Sequence, residues 1–184
     1  MILKKATVGL GAYYKEFIKT QILSTDFPWF RAPYQTENPI DPRVESKVVN
    51  APFFSHVLMR RSETQGLEGP TNSQYFHHFR KIFLEWCEHN DIKVNTIYRA
   101  CVNLTLHTDG EFTVPHKDHD FPHYNWIMYL NDSSAHTLLF DENLEIVERI
   151  KPEENTCVLF DGCTHAHELP SGLDQRVVVV FTFD

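Results

Sequence analysis

Apolar positions in the first third of the chain fall into helical spacing only once. Tyr14, Phe17, Ile18 and Ile22 recur at intervals of three and four, which predicts an amphipathic helix over 11–24. From 25 to 71 the periodicity is lost. This stretch holds six of the ten prolines and two aromatic clusters, Phe27-Pro28-Trp29-Phe30 and Ala51-Pro52-Phe53-Phe54. It reads as a long segment wrapped over a core. Thr71 and Gln74 then fit a capping box. Phe76, Phe79, Ile82, Phe83 and Trp86 follow as one apolar stripe that stops at Asn90-Asp91, so a second helix is predicted, its aromatic face turned to a sheet.

Beyond residue 94 the texture becomes β. Runs rich in Val, Ile, Thr and aromatics occupy 96–106, 111–115, 124–130, 136–140, 144–151, 156–160, 163–169 and 175–183. Asp109-Gly110, Asn131-Asp132, Asp141-Glu142-Asn143, Asp161-Gly162 and Ser171-Gly172 punctuate them. Eight short strands at this spacing predict a mainly β fold with flanking helices: a double-stranded β-helix, or jelly roll, packed on N-terminal helices. One domain is expected over 1–184, with 1–93 a helical and loop wrap and 94–184 the jelly-roll core.

Composition narrows the function classes. A formal charge of −8 without a run of Lys or Arg leaves no basic face, so no nucleic-acid partner is expected. The four cysteines are scattered with no C-x-x-C pair, which argues against a zinc ribbon or a thioredoxin-like site. No apolar run approaches a membrane span of about 18 residues, so no membrane partner is expected. Met1-Ile-Leu-Lys-Lys-Ala6 is mildly like a signal segment, but Gly9, Gly11 and Lys15 break it, and the expected location is cytoplasmic. Oligomeric state is left open.

His-x-Asp occurs three times. His89/Asp91 falls at a helix C-terminus, where a histidine meets the helix dipole. His107/Asp109 runs into a tight Asp-Gly turn. His116/Asp118 follows Val114-Pro115 at a strand end and opens a loop, where a barrel presents ligands at its mouth. Two histidines and one carboxylate would leave positions open on Fe(II), whereas zinc would close to four ligands. A third ligand is offered by His165 or His167. Arg176, heading the apolar run 177–181, must be paired or solvated, and the remote carboxylate of a keto acid is a natural partner.

In this order and spacing, Val102-Asn103-Leu104, His116-x-Asp118, Ile127-Met-Tyr-Leu-Asn-Asp132, Thr137-Leu-Leu-Phe140, Val158-Leu-Phe-Asp-Gly162, His165-Ala-His167 with Pro170, and Arg176 resemble the Fe(II)/2-oxoglutarate-dependent oxygenases. The likeness is to small phage- and bacterial-type members related to prolyl hydroxylases, and it covers about 98–183. It implies Fe(II) held by His116, Asp118 and a distal histidine, with 2-oxoglutarate and dioxygen as co-substrates and ascorbate as a stimulant. Arg176 would bind the C5 carboxylate, assisted by Tyr129, while Asn125, on the same strand face as Tyr129, would line the pocket. The family's single distal histidine falls here on Ala166. Its neighbours point to the same side, so alternation does not choose between them. His165 is the narrow preference and His167 the alternate. His123 and His136 are candidates for substrate contact, although a lone loop histidine is more often simply solvated.

The implied reaction couples oxidative decarboxylation of 2-oxoglutarate to hydroxylation. A prolyl or other peptidyl residue is favoured as substrate and a small metabolite comes next, with specificity in 119–124 and 25–71. Since histidines must be neutral to bind metal, activity should fade in acid. Two rivals are a non-catalytic jelly-roll metal-binding module and a cupin-type enzyme of other chemistry. Arg176 weighs against both.

Overall fold

The computed structural model describes every residue except 35, 37 and 38, which fall within the aperiodic 25–71 stretch. Its main layer is a seven-stranded antiparallel sheet. Four of its strands come from the predicted β half: β5 (Ile97–Leu106), β7 (Tyr124–Tyr129), β10 (Thr156–Asp161) and β12 (Gln175–Phe183). Three come from the N-terminal half: β1 (Ile2–Thr7), β2 (Phe30–Ala32) and β4 (Phe53–Met59). The spatial order is β1-β10-β7-β12-β5-β4-β2. A smaller antiparallel sheet, β11-β8-β9, uses His165–His167, Thr137–Phe140 and Ile146–Ile150. Two short strands, β3 (Val48–Val49) and β6 (Phe112–Thr113), pair in parallel, and bridges Phe112↔Glu168 and His116↔His165 tie the β6 side to β11.

Residues 1–93 are therefore more than a wrap. The segment read as a weak signal start is edge strand β1, paired along β10 through Lys4↔Leu159 to Thr7↔Thr156. Part of the aperiodic stretch is β4, paired with β5. Five of its seven side chains are buried in no alternating order, so the sequence shows no period of two.

The helices also differ in detail. The first runs as α1 (Ala12–Phe17) and then widens into a π-helical turn, Ile18–Ile22. The second, α2 (Phe76–His89), starts later than Thr71 predicts and has no side-chain cap. Ser73, inside the supposed box, instead accepts the Tyr75 amide at 3.2 Å and bonds His56 Nε2 at 2.8 Å. The predicted stripe is buried as a unit, from Phe76 to Cys87.

β12 shows what holds the layers together. Its odd-numbered side chains Val177, Val179, Phe181 and Phe183 join α2 in the larger core, where Phe83 stacks on Phe181 at 4.6 Å and meets Phe183 edge-on at 5.0 Å. Val178 and Val180 point the other way and pack with Ile127, Tyr129, Val158 and Phe160 between the sheets. Phe83 is fully buried at this junction. Phe83→Ala is expected to cost about 3–5 kcal/mol, read as a lower urea midpoint. A variant as stable as the parent would place α2 off the sheet.

Candidate active site

Between the two sheets lies a cavity of about 450 Å³, and His116, Asp118, His165, His167, Asn125 and Arg176 all line it. Strand pairing assembles the first three. His116 and His165 exchange both backbone hydrogen bonds at 2.9 Å, which sets their rings 4.7 Å apart. The His116 Nδ1–H donates to the Val114 carbonyl at 3.0 Å, and the His165 Nδ1–H to that of Cys163 at 3.1 Å. Each ring then keeps a lone pair on Nε2, the tautomer that a metal ligand requires.

Asp118 is buried beside them, with Oδ2 at 3.5 Å from His165 Nε2. Its other oxygen, Oδ1, accepts from Arg99 at 2.9 Å and from Arg61 at 3.2 Å, and Arg61 also donates to the Asp118 backbone carbonyl. Among the described residues no three such side chains are closed onto one point like a finished metal polyhedron. Burial by itself would raise the Asp118 pKa. His165, Arg99, His116 and Arg61 outweigh it and hold the carboxyl well below its usual range.

His165 and His167 separate here. His165 meets His116 and Asp118. His167, paired with Thr137 on β8, stands nearer Arg176; burial and that guanidinium push its pKa well down, and its Nδ1–H donates to the Glu168 carbonyl at 2.9 Å. The His116↔His165 bridge thus brings His165, and not His167, against His116 and Asp118.

Arg176 is 3% exposed. One Nη donates to Thr137 Oγ1 at 2.8 Å, and its guanidinium lies 5.7 Å from the Tyr129 ring centre. The Tyr129 hydroxyl shares Thr137 Oγ1 at 2.8 Å. No carboxylate pairs with Arg176 among the described residues, and its Nε has no partner. Burial accordingly lowers its pKa.

Two sequence candidates lie elsewhere. His123 does not line the cavity: it is buried, its Nδ1–H donates to Phe121 at 2.8 Å, and Gly162 sits so close that an added Cβ would stand 2.5 Å from the ring. His136 faces the outside of the smaller sheet and bonds Glu168 Oε2 at 2.6 Å. Neither lines the cavity, so the geometry lends no support to the expected substrate contact, and His123 is buried and not solvated. Sequence reasoning missed Arg61, Arg99 and Thr137 as site residues. Arg99 was open to the argument applied to Arg176, a cation inside an apolar strand.

No family model matches the chain, and no curated protein matches it. Solved structures do. An oxidoreductase of the 2-oxoglutarate–Fe(II) oxygenase family from Burkholderia pseudomallei superposes with a TM-score of 0.70 at 12% identity, over 100% of this chain and 84% of that one. The chain has the fold of the 2-oxoglutarate–Fe(II) oxygenases. A viral collagen prolyl hydroxylase from Paramecium bursaria Chlorella virus-1, in complex with 2-oxoglutarate, gives 0.54 at 13% identity, covering 98% of this chain and 94% of that one. A non-haem α-ketoglutarate-dependent epimerase of nogalamycin biosynthesis gives 0.55 at 12%, covering 98% and 76%. At such identities the likeness speaks for the jelly-roll fold alone.

The buried imidazoles generate a pH dependence of stability. Burial and the repulsion of His116 lower the pKa of His165 to about 4; burial and Arg61 do the same to His119. The unfolded chain takes up these protons near pH 6.5 and the folded chain resists until about 4. Their contribution is therefore present above pH 6.5 and is lost as the pH falls toward 4. Urea unfolding of the metal-free protein should show a loss on the order of 1–3 kcal/mol over this window. A flat profile would contradict the buried, neutral imidazoles.

Proposed function

We propose that this protein is a non-haem Fe(II) dioxygenase that couples oxidative decarboxylation of 2-oxoglutarate to hydroxylation of a second substrate. The observation that carries the reading is Arg176, a buried guanidinium with no carboxylate partner among the described residues, at one end of a cavity that also holds His116, Asp118 and His165. Burying such a cation unpaired is costly, and a dicarboxylate reaching in from the metal side would pair it.

The donor set fits the metal. Two imidazoles with free Nε2 atoms and one carboxylate are the donor types of a facial site suited to Fe(II), which would leave positions for a bidentate keto acid and dioxygen. Bound there, the iron and keto acid supply the oxidising chemistry. The chain's own groups have plainer tasks. The Val114 and Cys163 carbonyls fix the imidazole tautomers. Arg99 and Arg61 hold Asp118 ionised and oriented, with Oδ2 left toward His165. Arg176 and the Thr137 hydroxyl grip the distal carboxylate of the keto acid, with Tyr129 supporting Thr137 from behind. Val178, Val180 and Ile127 make the cavity's middle apolar and exclude water.

Hydroxylation is the outcome suggested by the prolyl hydroxylase neighbour, while the epimerase shows that the same fold serves another outcome. A non-catalytic module has no use for an unpaired buried guanidinium facing a metal-binding constellation.

Succinate formation from 2-oxoglutarate with Fe(II) and ascorbate tests the reading. The parent should form succinate, and Asp118→Ala should lower the rate by at least about a hundredfold. Arg176→Met should raise the KM for 2-oxoglutarate about thirtyfold or more. Since Arg176 has no counter-ion among the described residues, its Met variant should melt no lower than the parent. Succinate at parental rates from Asp118→Ala would remove the proposed centre.

A further inference from the structure

The cavity has a second polar end. Along β12 the side chains facing it begin with Arg176 and continue through Val178 and Val180. Thr182 lies six residues from Arg176, roughly 20 Å along the strand. There Arg99 of β5, Thr182 and Asn125 of β7 stand abreast on three adjacent strands, in register Thr182↔Arg99 and Thr182↔Asn125. Arg99, Asn125, His119 and Arg61 all line the cavity.

Two features of this end are unexplained by the centre described above. Asn125 is 0% exposed, yet neither its Oδ1 nor its Nδ2 has a hydrogen-bond partner among the described residues. A buried amide with both ends unmet is costly, and its orphaned atoms belong to a residue that lines the cavity. The charges also fail to balance. Among the described residues the charged side chains grouped there are three guanidiniums, Arg61, Arg99 and Arg176, against two carboxylates, Asp118 and the exposed Glu63, which lies 3.9 Å from Arg61. Lys117 and Asp120, of opposite charge, lie at the exposed rim, where Arg61 is exposed as well. A dication at the histidines and a dianionic keto acid cancel each other, which leaves one positive charge unmatched. One arginine suffices to orient Asp118 Oδ1, and two converge on it. This excess stands inside a chain whose overall charge is −8.

We infer that Arg61, Arg99 and Asn125 form the recognition site for the second substrate, and that this substrate is a small carboxylic acid. The inference rests on the proposed function and names the substrate class of the same cavity. Arg61 and Arg99 take the carboxylate, and Asn125 offers a donor and an acceptor to a neighbouring polar group. The apolar middle formed by Ile127 and Val180 covers hydrocarbon. A small acid replaces the peptidyl prolyl residue as the favoured substrate, because a blocked peptide backbone brings no carboxylate to two guanidiniums that share the single Asp118 Oδ1.

The test is calorimetric binding to the full chain loaded with Mn(II) and 2-oxoglutarate. The probes are L-proline, L-phenylalanine, hexanoate and benzoate, each beside its primary amide, together with an N-acetylated prolyl tripeptide amide. At least one acid should bind tenfold or more tighter than its amide. Asn125→Leu should weaken that acid tenfold or more while leaving 2-oxoglutarate affinity within twofold. Arg176→Met should do the reverse. Acids and amides binding alike, no acid binding, the blocked tripeptide binding best, or acid affinity unmoved in Asn125→Leu would each overturn the inference while 2-oxoglutarate binding stands. Failure of the parent to bind 2-oxoglutarate would overturn the proposed function and this inference together.

Discussion

The two-faced burial of β12 is the constraint on which the rest depends. A strand places alternate side chains on opposite faces, so β12 can serve the helix core and the cavity at once. Val177, Val179, Phe181 and Phe183 anchor α2, and this anchoring fixes the strand. Arg176, Val178, Val180 and Thr182 then have no freedom of register: a slip by one residue would put a guanidinium into the aromatic core and a phenylalanine into the cavity. The placement of Arg176 opposite Thr137 is thus a consequence of packing on the far side of the sheet.

The same alternation explains what the sequence disclosed. The strands between 97 and 183 lie where their apolar runs and turn residues place them, because each run is bounded by Gly, Asp, Asn or Ser with a defined turn role. His116, Asp118, His165 and Arg176 were legible as chemistry because each is a polar residue at the end of an apolar strand. β1 and β4 were hidden for a physical reason. Lys4 and Lys5 make an edge strand look like a leader, and the buried run in β4 lacks the alternation of a half-solvated strand. The capping box at Thr71 failed because tertiary contacts, Ser73 to His56 among them, claimed the local hydrogen bonds. Arg61 was out of reach for a different reason: its partner is 57 residues away, and nothing local in the chain marks a pair at that separation.

Histidine count alone misleads here, and the structure shows why. Of the eleven histidines, His116 and His165 have the arrangement a metal asks for: Nδ1–H committed to a main-chain carbonyl, Nε2 free, and a carboxylate alongside. His123 also commits Nδ1, but its free nitrogen is enclosed under Gly162, and it faces His119, a ring 4.9 Å away with a depressed pKa. His136 spends its Nδ1 on Glu168, which Arg149 already holds. The distinction lies in what the second nitrogen does, and strand pairing decides that rather than composition.

Unmet polar groups sharpen the same distinction. The described residues with buried, partnerless polar atoms fall in three places. The Trp86 and Trp126 indoles belong to the helix-side core, His123 is enclosed under Gly162, and Asn125, Arg176 and His119 line the cavity. An amide and a guanidinium left open toward one space make the fold locally inconsistent there. Inconsistency of this kind is stable only if something else completes it for part of the time. The two ends of the cavity make separate demands: one exposes a single guanidinium beside a shared hydroxyl, the other two guanidiniums and an amide. On the proposed function, a dicarboxylate of five carbons anchored at Arg176 and reaching the histidines would leave the Asn125 end open. The orphaned amide and the two guanidiniums there are the groups that the inferred second ligand would meet, and they set its chemistry.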